Sequence, residues 1–355
     1  MSRPFFALFN SPEKRRQGFR LALAATCLAS VVVILGAFTR LVDAGLGCPD
    51  WPGCYGHLLW PDSAQEIAVA DSRFPDTPVS VDKTWPEMVH RYFAGTLGLF
   101  IIALAYIGWR QRETRTYPFR LPMLLLFLVV WQALFGMWTV TLKLWPQIVT
   151  AHLMGGMSLF SLLWLLTLRL DNQRWSFSSD IFQRLRKLKP LLILAVSCVF
   201  LQIALGGWLS SNYAAFACAD FPTCGSQWWP AMDFPRGFNL LQGIGPNYLG
   251  GLMTNEARVA IHLTHRLGAL VVSLCLVALC IALLMLPNSK VRRMALVIAA
   301  ALVLQIGLGV SNVFFQIPLV VAVAHNAGGA LLLLSLVTLG VKMWMAQEIT
   351  EGSGN

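Results

Sequence analysis

Apolar residues dominate this chain in eight long runs, near residues 19–41, 88–109, 121–142, 147–169, 190–211, 257–286, 292–314 and 317–345. Each run approaches or exceeds the ~20 helical residues that cross a hydrocarbon core. The pattern predicts an all-α membrane protein of eight transmembrane helices. The first run follows a basic segment, Met1 to Arg20, as a signal peptide would. It is too long for the apolar part of one and meets no convincing cleavage site, so it reads as a retained helix. Two long polar segments interrupt the runs, about 42–86 and 212–256, both rich in Trp, Pro, Gly and Asp.

The two segments are built alike. Gly36 to Cys54 (GAFTRLVDAGLGCPDWPGC) and Gly206 to Cys224 (GGWLSSNYAAFACADFPTC) repeat Gly, Cys, Pro and Cys at a constant offset of 170. Glu87 to Arg91 (EMVHR) recurs as His262 to Arg266 (HLTHR), and Gln132, Gly136 and His152 recur as Gln305, Gly309 and His325. Apolar helices resemble one another by composition, but composition does not keep rare Cys, Gln and His in register. The chain therefore reads as two tandem-repeated four-helix bundles. An even number of spans per unit gives the halves parallel topology. The implied domains are a cytoplasmic N-terminal segment (1–18), a first bundle (19–169), a cytoplasmic linker (170–189), a second bundle (190–345) and a cytoplasmic tail (346–355).

Composition agrees: 56% of residues are hydrophobic and 12% charged, which excludes a disordered or disulfide-scaffold chain. A net charge of +10 would suit nucleic acid in a soluble protein. Assigning alternate loops to opposite sides, however, puts 19 of the 27 Lys and Arg on one face. That bias places both termini in the cytoplasm and leaves no nucleic-acid partner to explain; lipid is the surrounding medium.

Five of the six histidines lie in the runs or at their mouths: His90, His152, His262, His265 and His325. Imidazoles in a membrane face the bundle interior and carry function by default, although one alone can simply bond a neighbouring helix. Here each half places one on its second helix (His90, His265) and one on its fourth (His152, His325), all at similar depth near the outer leaflet. Two imidazoles on facing helices can hold one iron axially, so two haem sites are expected. Glycines beside them, Gly95, Gly98, Gly155, Gly156, Gly268, Gly328 and Gly329, would leave room for a flat ring or serve helix packing. A zinc site would need a tighter cluster; His262 and His265 have that spacing, but only His265 has a counterpart, His90. Arg91 and Arg266 are candidate propionate contacts or snorkelling cations. Glu87, one turn before His90 where the second half has His262, is a candidate catalytic carboxylate or a helix-start residue following Trp85-Pro86.

Cys27, Cys198, Cys275 and Cys280 read as small residues of the spans. Cys48, Cys54, Cys218 and Cys224 lie in the outer segments, where disulfides form. Four cysteines allow three connectivities; pairing inside each segment is the natural one, and a four-Cys zinc site the rival. Whether such bridges are structural or redox-active stays open.

These motifs together resemble the haem A synthase family: TRLVDAGLGCPDWPGC at Thr39 to Cys54, EMVHR at Glu87, AHLMGG at Ala151, HRLGA at His265 and AHNAGGA at Ala324. The resemblance covers essentially the whole chain. It implies a bacterial inner-membrane oxidoreductase that converts the C8 methyl of haem O to a formyl group, giving haem A for terminal oxidases. Two hydroxylation-level steps would be followed by loss of water from a geminal diol. By the same resemblance, His90, His152 and Glu87 belong to a substrate half, His265 and His325 hold haem B as cofactor, and Cys48 and Cys54 match a functional disulfide. His262 matches no ligand of the family. A haem O synthase, an electron-transfer protein and a second copy of the chain are candidate partners. The rival readings are a di-haem b-type electron-transfer protein and a haem transport or delivery protein.

Overall fold

The computed structural model describes residues 15–349; Arg3, Lys14 and the tail beyond 349 lie outside the described residues. Helix α1 spans Phe19–Leu41, α2 Ala64–Arg73, α3 Val81–Arg110, α4 Arg120–Thr141 and α5 Pro146–Asp171. Strand β1 (Ser176–Phe177) and α6 (Ser179–Lys187) follow, then α7 (Lys189–Ser211), α8 (Phe234–Gly237), α9 (Asn255–Leu284), α10 (Ser289–Phe314), α11 (Leu319–Trp344) and β2 (Gln347–Glu348). Eight of these helices, α1, α3, α4, α5, α7, α9, α10 and α11, are long and apolar enough to cross a membrane. With all backbone polar groups bonded inside each segment, helices are the form such apolar runs must take in lipid.

Two apolar cores result. Ala22, Ile101, Leu125 and Leu163 are buried in the first, Leu192, Leu276, Ile298 and Leu336 in the second. Within each, the first helix packs on the second and fourth, and the third on its two neighbours; the bundles meet along α1, α5, α7 and α11. At that seam Trp164 Nε1 donates to Thr338 Oγ1 (2.8 Å). Gly207 lets α7 approach α5 so closely that a Cβ there would stand 2.9 Å from Leu153. Arg40 at the end of α1 donates to Tyr213 Oη and to the Ser210 carbonyl (both 2.7 Å), while Tyr213 donates to Asp43 (2.8 Å). At the opposite end Arg15 pairs with Asp171, and β1 and β2 form a parallel two-stranded pair that ties the linker to the chain beyond α11.

One helix boundary differs from the sequence expectation. Trp85-Pro86-Glu87 looks like a helix start, yet α3 begins at Val81 and contains Pro86. Proline there forgoes one bond early in the helix, and the overlying segment supports the extra turn. Thr39 Oγ1 donates to the Pro86 carbonyl (3.2 Å), and a Cβ on Gly47 would collide with the Lys83 carbonyl.

The long outer segments close on themselves by the same devices. Disulfides join Cys48 to Cys54 and Cys218 to Cys224, so pairing is within each segment. Asp50 accepts from the Tyr55 and Gly56 amides (2.6 and 2.8 Å). Asp220 accepts from the Thr223 hydroxyl (2.5 Å) and from the Ser226 and Gly225 amides (2.9 and 2.7 Å). A capping box between Ser63 and Glu66 starts α2 in the first segment.

The Asp220 bonds, the Thr223 hydroxyl first and the Ser226 amide next, lower its carboxyl from 3.8 to about 2. A depressed carboxyl stabilises the turn above its ordinary value and loses that effect as pH falls through the folded one. Pepsin cleavage around Gly225 should therefore rise as the pH drops from about 4 to about 2. Asp220→Asn should be cleaved readily across that range; equal resistance of the two proteins would contradict the assignment.

Candidate functional site

The four paired histidines all lie within about the first three turns of their helices. His90 and His265 lie near the start of the second third of α3 and α9, and His152 and His325 each lie six residues beyond the first residue of α5 and α11. All four helices start on the side of the long outer segments, and at ~1.5 Å per residue the rings sit roughly 9–15 Å from those starts. His90 lies within electrostatic range of His152, and His265 of His325. The sequence-predicted pairs are thus brought together within each bundle.

Each ring lies beside a glycine on the neighbouring helix, and at three of the four the approach is closer than a side chain would readily allow. A Cβ on Gly36 of α1 would stand 2.9 Å from His90 Cε1, and one on Gly206 of α7 3.2 Å from His265 Cε1. On α4 and α10, Cβ atoms at Gly136 and Gly309 would stand 3.6 and 3.0 Å from the Cε1 atoms of His152 and His325. Any side chain at Gly36 or Gly309 would displace the imidazole. These glycines repeat in the sequence, but repetition alone did not reveal that they cradle the rings.

Of the two roles expected for the glycines on the histidine helices, three of them take the packing one. A Cβ on Gly155, Gly268 or Gly328 would collide with the side chain of Gln132, Gln202 or Gln305 respectively, so those spaces are filled by amides. Gly95 faces open space. Each of these histidines is half-buried as a residue, and the Nδ1 atoms of His90, His152 and His325 are buried without a hydrogen-bond partner. A polar atom left unbonded in an apolar interior is costly. Half-covered imidazoles, glycine cradles and unpaired ring nitrogens are the features that axial ligation of a flat macrocycle would use, so the residues fit haem.

Glu87 is buried, 5% exposed, beneath the first disulfide. Its Oε2 accepts the Cys48 amide (2.9 Å), and its Oε1 is paired with Arg91 Nη2. Arg91 Nη1 donates to the carbonyls of Gly53 (2.6 Å), Asp50 (3.1 Å) and Pro52 (3.3 Å). In the second half Arg266 Nη1 donates to Thr223 O (2.8 Å), and its Nη2 to Asp220 O (2.8 Å) and directly to Cys218 O (3.2 Å). The arginines therefore hold the disulfide segments down, and the first half alone inserts a carboxylate between arginine and cysteine. Glu87 is too far inside α3 for the helix dipole to explain it, since that effect fades after the first turn. His262, also 5% exposed, lies with Nδ1 3.0 Å from the Ala214 carbonyl. Among the described residues no group of three or more His, Cys, Asp or Glu is placed to share a metal, so His262 and His265 do not form a zinc cluster.

Known proteins match this sequence over most of its length. The COX15-CtaA model, described as cytochrome oxidase assembly protein, matches residues 19–337. A heme A synthase of Shewanella oneidensis is 42% identical over 94% of this chain and 97% of its own length. One of Rhizorhabdus wittichii is 27% identical over 90% of this chain and 91% of its own, and one of Halalkalibacterium halodurans 25% over 63% and 70%. With eight helices long and apolar enough to cross a membrane and a family match that reaches from α1 into α11, the chain belongs to the COX15-CtaA family of cytochrome oxidase assembly proteins.

Proposed function

We propose that this chain is a haem A synthase, a membrane oxidoreductase that takes haem O as substrate and oxidises its C8 methyl to the formyl of haem A. The observation that carries the reading is a pair of cradled histidines in each bundle with a buried carboxylate, Glu87, beside only one of them. A pure electron-transfer or delivery protein has no use for that difference.

His90 and His152 would ligate the substrate iron, and His265 and His325 the iron of a resident haem B. Haem B supplies one-electron redox chemistry when bound. Glu87, held through both oxygens, presents fixed negative charge one turn from His90. It would steady positive charge developing at the oxidised carbon, or take a proton from water attacking there. Arg91 fixes that carboxylate and the Cys48–Cys54 segment together. In the second half Arg266 keeps Nε without a partner, a donor suited to a propionate, while His262 replaces the charge with a neutral contact to Ala214.

The same reading includes a duplicated architecture. Arg40 touches Ser210 and Asp43 touches Tyr213, and each pair joins positions 170 apart. Positions equivalent by repetition meet each other only at an axis between the halves, which supports tandem bundles related by rotation about the membrane normal. The basic residues at the other end, Arg15, Arg20, Arg112, Arg174, Arg184 and Arg293 among them, support a cytoplasmic location for both termini in a bacterial inner membrane.

Glu87→Ala, expressed with a supply of haem O, should lower haem A in extracted pigments by ~10² or more, the usual worth of a placed acid–base group. Undiminished haem A would remove Glu87 from the chemistry. His265→Ala should deplete the purified protein of haem B; retention of a normal low-spin spectrum would assign the ligand to another residue.

A further inference from the structure

The two disulfide hairpins end alike. In each, the second cysteine forms an antiparallel bridge with the residue three places on, Cys54 with His57 and Cys224 with Gln227. The next two residues are large and apolar, Leu58 and Leu59 in the first half and Trp228 and Trp229 in the second, again 170 apart. All four are exposed, Leu58 to 84% and Trp228 to 75%. An apolar pair left uncovered at the same place in both halves, on hairpins that are pinned by disulfide and arginine, marks a surface that meets something apolar.

Depth identifies what that is. No Lys, Arg, Asp or Glu occurs between Arg91 and Arg110 on α3, nor between Arg266 and the end of α9 at Leu284. Each stretch measures about 27 Å at ~1.5 Å per residue, close to the ~30 Å of a hydrocarbon core. Arg91 and Arg266 therefore stand at its outer edge, and they are the residues that grip the hairpin carbonyls of Gly53 and Thr223 (2.6 and 2.8 Å). The hairpins also touch the outward flanks of the bundles. Tyr92, half-exposed, donates its hydroxyl to the Leu58 carbonyl and heads a stripe of exposed residues on one face of α3, Leu99 and Tyr106 following at seven-residue spacing. In the second half Phe221 meets Phe314 edge-on at the outer end of α10, with ring centroids 6.3 Å apart and Phe314 exposed. Both hairpins are thus continuous with the apolar faces that the spans turn away from the protein.

We propose that both disulfide hairpins insert their tips into the outer leaflet of the bilayer, Leu58 and Leu59 beside α3 and Trp228 and Trp229 at the matching place on the second bundle, so that the partner of this surface is lipid. Tryptophan suits that level, because its ring joins an apolar body to a polar N–H and settles among the headgroups. A bilayer surrounds every side of the bundles and meets both tips at once, which accounts for their repetition at one depth. The inference rests on the eight helices crossing a membrane and is independent of which haem either bundle binds.

Tryptophan fluorescence of the full-length protein in phosphatidylcholine nanodiscs tests this. The emission that disappears in Trp228→Phe combined with Trp229→Phe belongs to those two rings. A lipid carrying a nitroxide just below its headgroup should remove most of that emission, a lipid with the nitroxide at its chain end should remove less, and iodide in the water should leave most of it. Leu58→Trp adds a reporter in the first half, and its added emission should follow the same order. These positions are exposed, so the substitutions leave the packed cores untouched. Stronger quenching by iodide than by the shallow nitroxide puts the tips in water and overturns the proposal. Emission that neither quencher reaches overturns it as well, since protein, such as a second copy of the chain, would then cover the rings.

Discussion

An imidazole between apolar helices needs room, and here the absence of a side chain provides it. Gly36, Gly206 and Gly309 let three rings lie against neighbouring backbones, so closely that a Cβ on Gly36 would stand 2.9 Å from the His90 ring. The close approach of α1 to α3, of α7 to α9 and of α10 to α11 at the rings uses those contacts. Because interfaces in lipid gain little from burying more apolar surface, small residues and polar contacts decide how the helices sit. The seam obeys the same rule through Gly207 and the Trp164–Thr338 bond.

The outer segments turn that scaffold into an asymmetric device. Both are closed by a six-residue disulfide, both turn around an aspartate, and both are pinned by an arginine next to a paired histidine. The halves differ at the centre in what the arginine meets. Arg266 reaches the Cys218 carbonyl itself, while Arg91 reaches Glu87, which in turn accepts the Cys48 amide. A carboxylate so placed is costly to bury and is offset only by its partners. Its persistence in one half alone is intelligible if that half must manage charge during a reaction.

Much of this was legible in the sequence. Eight apolar runs of spanning length gave the helices, and rare residues in register gave the histidine pairs and the paired cysteines. The glycine cradles were present as repeated letters, but which side of a helix faces which ring depends on packing between helices distant in sequence. Gln202 was invisible for the same reason: its partner, His265, is 63 residues away. Arg91 and Arg266 read as propionate contacts or snorkelling cations, and their bonds to the outer segments were not foreseen, because carbonyl acceptors such as Gly53 and Thr223 carry no side-chain signature. Pro86 misled about the start of α3, since local propensity favours a boundary there and the overlying Gly47 and Thr39 contacts outweigh it.

The central claim is that the first bundle performs chemistry on haem rather than only carrying it. The most direct measurement is the haem extracted from cells that make haem O, with and without this chain. The account predicts that haem A appears, with a matching fall in haem O, only when the chain is present. Haem O and haem A unchanged by the chain would contradict it.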